Sequence, residues 1–209
     1  VITLALLAGG RSTRMGRDKL LLPLAGRTML QHLVEVGVAA GLPVIVCGRP
    51  APAEWSLPAV RFLGDAQPDE GPLRGLEAAL AVADEVLLLA GDLPWVTTAD
   101  LLWLCRQSAA EHGVATTIAG QLQPLFSRYA ATCRPLLAAE LAAGRRSPRA
   151  VLGAGNFAQV EVPAAMASRL LDVDFPADFP ADFPADFPVD FPADFPVDFA
   201  ADRQRLIGP

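Results

Sequence analysis

The stretch "LAGGRSTRMGRDK" at residues 7–19 gathers three glycines, three arginines and the only lysine of this 209-residue chain. Gly9 and Gly10 follow a short apolar run, so the backbone can turn tightly there and present its amide groups. Arg14 and Lys19 bring positive charge to the place those amides point. Anion binding is the chemistry this suits, although the spacing matches neither GxGxxG nor GxxxxGK[ST]. Every other basic residue of the chain is arginine. A site that needs a compact, steerable point charge rather than a planar fork is a reason to keep one lysine, and an α-phosphate under in-line attack is such a site.

A second candidate lies in "LLLAGDLPWV", where an apolar run gives out at Ala90 and Gly91 and leaves Asp92 beyond it. Ligands of open α/β sheets collect at the carboxyl ends of strands. A carboxylate there, followed by the rigid Pro94, is placed to hold Mg²⁺ between phosphate oxygens; a turn-forming aspartate is the alternative. A third, "GDAQPDEGPLRG" at residues 64–75, puts Asp65 after a strand and opens a helix at "GPLRG". Glycines and a helix N-terminus suit an anion, and a loop punctuated by Gly and Pro is the plainer reading. Arg145 and Arg146 read either as phosphate contacts or as partners of a helix C-terminus. His32 and His112 sit in helical patterns with no metal-ligand spacing around them, and no nucleophile elbow stands out.

These residues need a scaffold, and the pattern around them supplies one. The runs "VITLALL", "PVIVCG", "AVRFLG" and "EVLLLAG" read as strands and alternate with helical segments. One helix lies between the first two runs, with Thr28 and Gln31 as a capping box and Gly41 as its stop. Two more are predicted over residues 72–83 and 98–111, then strands at "GVATTIAG" and "PLFSRYA", a helix at "CRPLLAAELAAG" and a strand at "AQVEVP". The expected fold is a single-domain, Rossmann-like, doubly wound and mostly parallel sheet, with helices on both faces and an antiparallel excursion late in the chain. Domain limits are expected at residues 1–173, followed by a repeat over 174–201 and a tail over 202–209. The repeat is Asp-Phe-Pro-Ala/Val; a proline every fourth residue excludes a helix and a central strand. It is also the main source of the formal charge of −6, so the body is nearly neutral.

Composition narrows the function classes. No arginine-rich stripe with interleaved aromatics marks a nucleic-acid surface, and no apolar run reaches the length of a membrane span. Three scattered cysteines, Cys47, Cys105 and Cys133, fit neither a disulfide framework nor a zinc site, so a cytoplasmic setting is expected.

Taken in order, "LAGGRSTRMGRDK", "GPLRG", "GDLPWV", "QPLFSRY" and "AAGRRS" resemble the nucleotidyltransferases with the signature LAGGxxxRMGxDK, and in detail the molybdenum cofactor guanylyltransferase (MobA) family. The resemblance implies that the α-phosphate of GTP is attacked by the terminal phosphate of molybdopterin, with Mg²⁺ present and pyrophosphate released. It implies that Leu7, Ala8, Gly9 and Gly10 line the nucleotide site and that Asp65 contacts the nucleotide. Lys19, helped by Arg14, would sit on the phosphates, and Asp92 would hold the metal. On the molybdopterin side it implies Gly71, Pro72, Leu73, Gly75 and Arg146, together with Asp172 and Asp174 in "DVDFPADF", which stands where the family has N-x-N-T-P-E-[DE]-L. Cys47 replaces an asparagine of the family. Molybdoenzyme apoproteins or cofactor-delivery proteins are implied partners. A relative that uses CTP tends to open with LAAG, whereas Gly9 and Gly10 match the guanine-type opening. A sugar-phosphate nucleotidyltransferase and a catalytically idle nucleotide-binding scaffold are the remaining alternatives.

Overall fold

The structure is a computed structural model that describes residues 1–9, 18–21, 23–24, 27–55, 57, 60–64 and 71–170. Its first strand, β1 (Ile2–Leu7), shows how the sequence builds the layers. Side chains alternate across a strand, so Leu4 and Leu6 enter one core while Ala5 enters the other. A short hairpin, β2 (Pro23–Leu24) and β3 (Arg27–Thr28), leads into helix α1 (Met29–Ala39). Thr28 and Gln31 form the expected capping box, the Thr28 amide donating to Gln31 Oε1 at 2.8 Å and the Gln31 amide to Thr28 Oγ1 at 3.2 Å. After Gly41 the chain enters β4 (Val44–Cys47), then β5 (Val60–Leu63), helix α2 (Pro72–Leu80) and β6 (Glu85–Ala90).

Beyond β6 come α3 (Thr98–Cys105), β7 (Gly113–Ile118), β8 (Gln121–Leu122) and β9 (Phe126–Ala130). Helices α4 (Arg134–Ala142) and α5 (Arg149–Ala154), strand β10 (Ala158–Glu161) and helix α6 (Ala164–Ala167) complete the described order. Among the described residues the main sheet runs β10-β7-β9-β6-β1-β4-β5, with β8 paired to β7. β1 is parallel to β4 and β6, and β4 to β5, while β9 runs antiparallel between β6 and β7. The late excursion expected from sequence is therefore β9. One core joins Leu4, Leu6, Leu87 and Leu89 to Met29 and Leu33 of α1 and to Leu101 and Leu104 of α3. The other joins Ala5, Val86 and Leu88 to Leu73 and Leu76 of α2, Leu137 of α4 and Val151 of α5. Helices thus cover both faces, as a doubly wound sheet requires.

Two helices stop short of their expected ends. α2 gives way after Leu80, where the guanidinium of Arg134 takes the carbonyls of Leu80 and Ala83. α3 stops at Cys105 because the buried Arg128, on β9, donates from one nitrogen to the carbonyls of Leu104, Cys105 and Gln107 at 2.9–3.2 Å. A charged donor that satisfies the orphan carbonyls of a helix end removes the reason for another turn. Strands β2, β3 and β8 and helices α5 and α6 were not expected; elements of two to six residues carry too little periodicity to read. The repeat and the tail lie outside the described residues.

Candidate active site

The chain leaves β1 through α1 toward β4 and leaves β6 through α3 toward β7, so the connections diverge between β1 and β6. That divergence is the switch point where open α/β sheets bind ligands. A cavity of about 380 Å³ lies there, within the range of small-molecule sites. Leu7, Ala8 and Gly9 form its floor, and Lys19, Asp92 and the start of α2 form its walls.

Each wall has a local cause. Asp18 Oδ1 accepts the Leu20 amide at 3.1 Å and the Asp18 carbonyl accepts the Leu21 amide at 3.2 Å, making a single 3-10 turn over Lys19–Leu21. That turn buries Leu20 in the core and leaves Lys19 at the cavity. From the other side, the Gly91 amide donates to the Leu7 carbonyl at 3.0 Å, so the ends of β1 and β6 meet. Lys19 Nζ then reaches Asp92 Oδ2 at 2.8 Å, with 18% and 26% of the two side chains exposed. Such exposure leaves both charges accessible to a ligand.

Gly91 is a close-approach position: a Cβ there would lie 2.7 Å from the Leu7 carbonyl oxygen and 2.9 Å from Leu20 Cδ2. Backbone cannot move aside as a side-chain tip can. Gly91→Ala is expected to destabilise the protein by about 1–3 kcal/mol in urea unfolding, and an unchanged midpoint would refute the close packing. Gly71, with φ +83°, caps α2 by placing its Cα against Arg146, whose carbonyl accepts the Leu73 amide at 3.0 Å.

The structure thus brings Leu7, Ala8, Gly9, Lys19 and Asp92 together with Gly71, Pro72 and Gly75 on one cavity. Leu73 is fully buried in the core beneath α2, and Arg146 is exposed outside the lining, touching α2 through its backbone. Gly10, Arg14, Asp65, Asp172 and Asp174 lie outside the described residues. Sequence reasoning missed Asp18 and Gly48 in the lining and Arg49 beside them, its Nη1 2.9 Å from Asp18 Oδ2. Their signal was available, since Gly48 and Arg49 follow an apolar strand just as Gly91 and Asp92 do. Cys47 is buried in the wall of the cavity.

His32, on α1, is fully buried and donates from Nε2 to the Pro94 carbonyl at 3.0 Å. Burial, and after it the Arg27 guanidinium, push its ring down from 6.5 to about 4, against the opposing effect of the Pro94 bond. The folded ring therefore stays neutral where an unfolded one takes a proton. Stability from this group is complete above about pH 6.5, declines as pH falls toward about 4, and is level below, with a ceiling of roughly 3 kcal/mol. Ring-proton NMR of the folded protein should show His32 titrating near pH 4, and a midpoint near 6.5 would contradict the burial.

An open α/β sheet whose switch-point cavity sets a lysine against a carboxylate fits the frame of a nucleotidyltransferase. The MobA-like NTP transferase domain matches residues 4–160, and the chain belongs to that family. It is 31% identical over 184 residues to a probable molybdenum cofactor guanylyltransferase of Carboxydothermus hydrogenoformans, covering 84% of this chain and 92% of that one. A molybdenum cofactor guanylyltransferase of Pseudomonas entomophila is 35% identical over 159 residues, 73% of this chain and 83% of its own. The crystal structure of molybdopterin-guanine dinucleotide biosynthesis protein A from Archaeoglobus fulgidus shares the fold, with a TM-score of 0.68 at 19% identity over 84% of this chain and 94% of that one. Among the described residues no helix is long and apolar enough to cross a membrane.

Proposed function

We propose that this protein transfers GMP from GTP to the terminal phosphate of molybdopterin, giving the guanine dinucleotide and pyrophosphate. The observation that carries the reading is the Lys19–Asp92 pair in the wall of a glycine-lined cavity, in a chain similar over most of its length to proteins named molybdenum cofactor guanylyltransferase. An acceptor phosphate oxygen forms a bond to the α-phosphorus of GTP while the bond to the β-phosphate bridge breaks, and pyrophosphate leaves. Lys19 sets a point charge against the phosphates, and Ala8 and Gly9 beyond β1, small residues that line the cavity, admit the nucleotide to close backbone approach. The opening beside Gly71, Pro72 and Gly75 is the acceptor side, and residues 1–173 make the transferase domain.

Mg²⁺ fits this donor set. Among the described residues no group of three or more His, Cys, Asp or Glu could hold a metal by itself, and Mg²⁺ paired with nucleotide takes one or two carboxylates plus phosphate oxygens. Asp92 supplies such a carboxylate in a partly exposed setting. Bound there, the ion would neutralise phosphate charge.

The test is to incubate the protein with Mg²⁺, molybdopterin and each of the four nucleoside triphosphates in turn, and to follow pyrophosphate. GTP should release it fastest. Release from CTP instead would make the protein a cytidylyltransferase, and release that needs a sugar phosphate would overturn the acceptor.

A further inference from the structure

In the loop that carries Asp92, Pro94 has no amide hydrogen, and among the described residues the Gly91 amide donates to the Leu7 carbonyl at its start and the Val96 amide to the Leu93 carbonyl at its end, the latter at 3.3 Å. Between them the Pro94 carbonyl turns inward onto α1 and is met by His32, 62 residues earlier in the chain. A proline carbonyl can only accept, so the neutral ring must carry its proton on Nε2. The same helix meets the chain again four residues on, where Thr98 Oγ1 donates to the Val36 carbonyl at 3.4 Å. Eight of the eleven residues of α1 are buried, and its N-terminus is closed by the capping box, so it is a firm support.

A buried imidazole costs more than the leucine that could fill its space, unless its polar atom does something specific. Here it fixes the carbonyl two residues beyond Asp92. We propose that His32 is a positioning residue of the active site, whose bond to Pro94 sets the direction in which Asp92 presents its carboxylate. Residues that orient a metal-binding or phosphate-facing group from behind typically matter by ten- to a hundredfold when removed. The inference rests on Asp92 being the active carboxylate, while the bond itself stands apart from that assignment.

The experiment compares wild type, His32→Leu and His32→Gln. In metal-free, nucleotide-free protein, exchange of the Val96 amide should rise at least tenfold in the leucine variant and return toward wild type in the glutamine variant, whose amide can still donate. With GTP, Mg²⁺ and molybdopterin, His32→Leu should lose about tenfold in kcat while KM for GTP stays within threefold, and glutamine should recover most of the loss. Equal exchange and equal kcat in a folded leucine variant would overturn the proposal. So would a glutamine variant as poor as leucine, because packing rather than the donated bond would then be responsible. If the leucine variant does not fold, nitrogen-15 NMR of the wild-type ring decides: a proton on Nε2 supports the bond, and a proton on Nδ1 alone refutes it. Should no triphosphate react at all, the exchange and ring measurements still report on the bond, so failure of the guanylyl reading is separable.

Discussion

Lys19→Ala is expected to lower turnover by on the order of 10² or more while the fold survives. Both partners of the Lys19–Asp92 pair are partly exposed, and ion pairs of that kind contribute only about 1 kcal/mol or less to stability. The loss is therefore chemical. An ammonium that tightens on phosphate oxygens as charge redistributes is worth more in the transition state than in the ground state, so kcat should fall further than KM for GTP rises. Lys19→Arg should not restore the rate to within tenfold, since a bulky planar fork does not replace a compact, steerable point charge. Removing Lys19 also strips Asp92 of its counter-charge, so metal binding should hold or strengthen while turnover drops. Steady-state kinetics with Mg²⁺ titration reads both, and near-normal turnover in Lys19→Ala would end the assignment.

Much of this was legible in the sequence because it rests on local rules. The alternation of Leu4, Ala5 and Leu6 assigns two faces to β1, and Thr28 with Gln31 closes α1 within four residues. Lys19 and Asp92 were legible for other reasons: Lys19 is the only lysine of the chain, in a glycine-rich segment, and Asp92 stands just beyond an apolar strand. What sequence did not yield depends on distant partners. The end of α3 is set by Arg128, more than twenty residues away, and the loop behind Asp92 is set by His32, 62 residues away. Neither separation leaves a trace in a short window. Leu73 is the instructive difference. The motif "GPLRG" suggested a site residue, yet Leu73 recurs with Leu76 and Leu80 at helical spacing, and all three are buried in the core under α2. Periodicity carried the truer signal there than membership of a motif.

Asp92→Asn is expected to abolish turnover together with its dependence on Mg²⁺. The substitution keeps the shape of the side chain and removes its charge, so Leu93, Val96 and the α3 capping box should remain in place. What goes is the hard anionic oxygen that Mg²⁺ demands, which a neutral amide replaces poorly. Lys19, relieved of its 2.8 Å ion pair with Asp92, then faces the phosphates without that competing carboxylate, and GTP should bind metal-free enzyme at least as tightly as it binds wild type. Tight nucleotide binding with no pyrophosphate release is a combination that simple unfolding cannot produce. A variant that saturates with Mg²⁺ at the wild-type concentration, or turns over within tenfold of wild type, would remove Asp92 from the chemistry. The double variant Lys19→Ala with Asp92→Asn adds a further check. If the two charges serve one triphosphate, the second substitution should cost little once the first is made, as for residues that act as a unit. Losses that multiplied in full would instead mean two independent roles, and the short contact between these side chains would then belong only to the resting state.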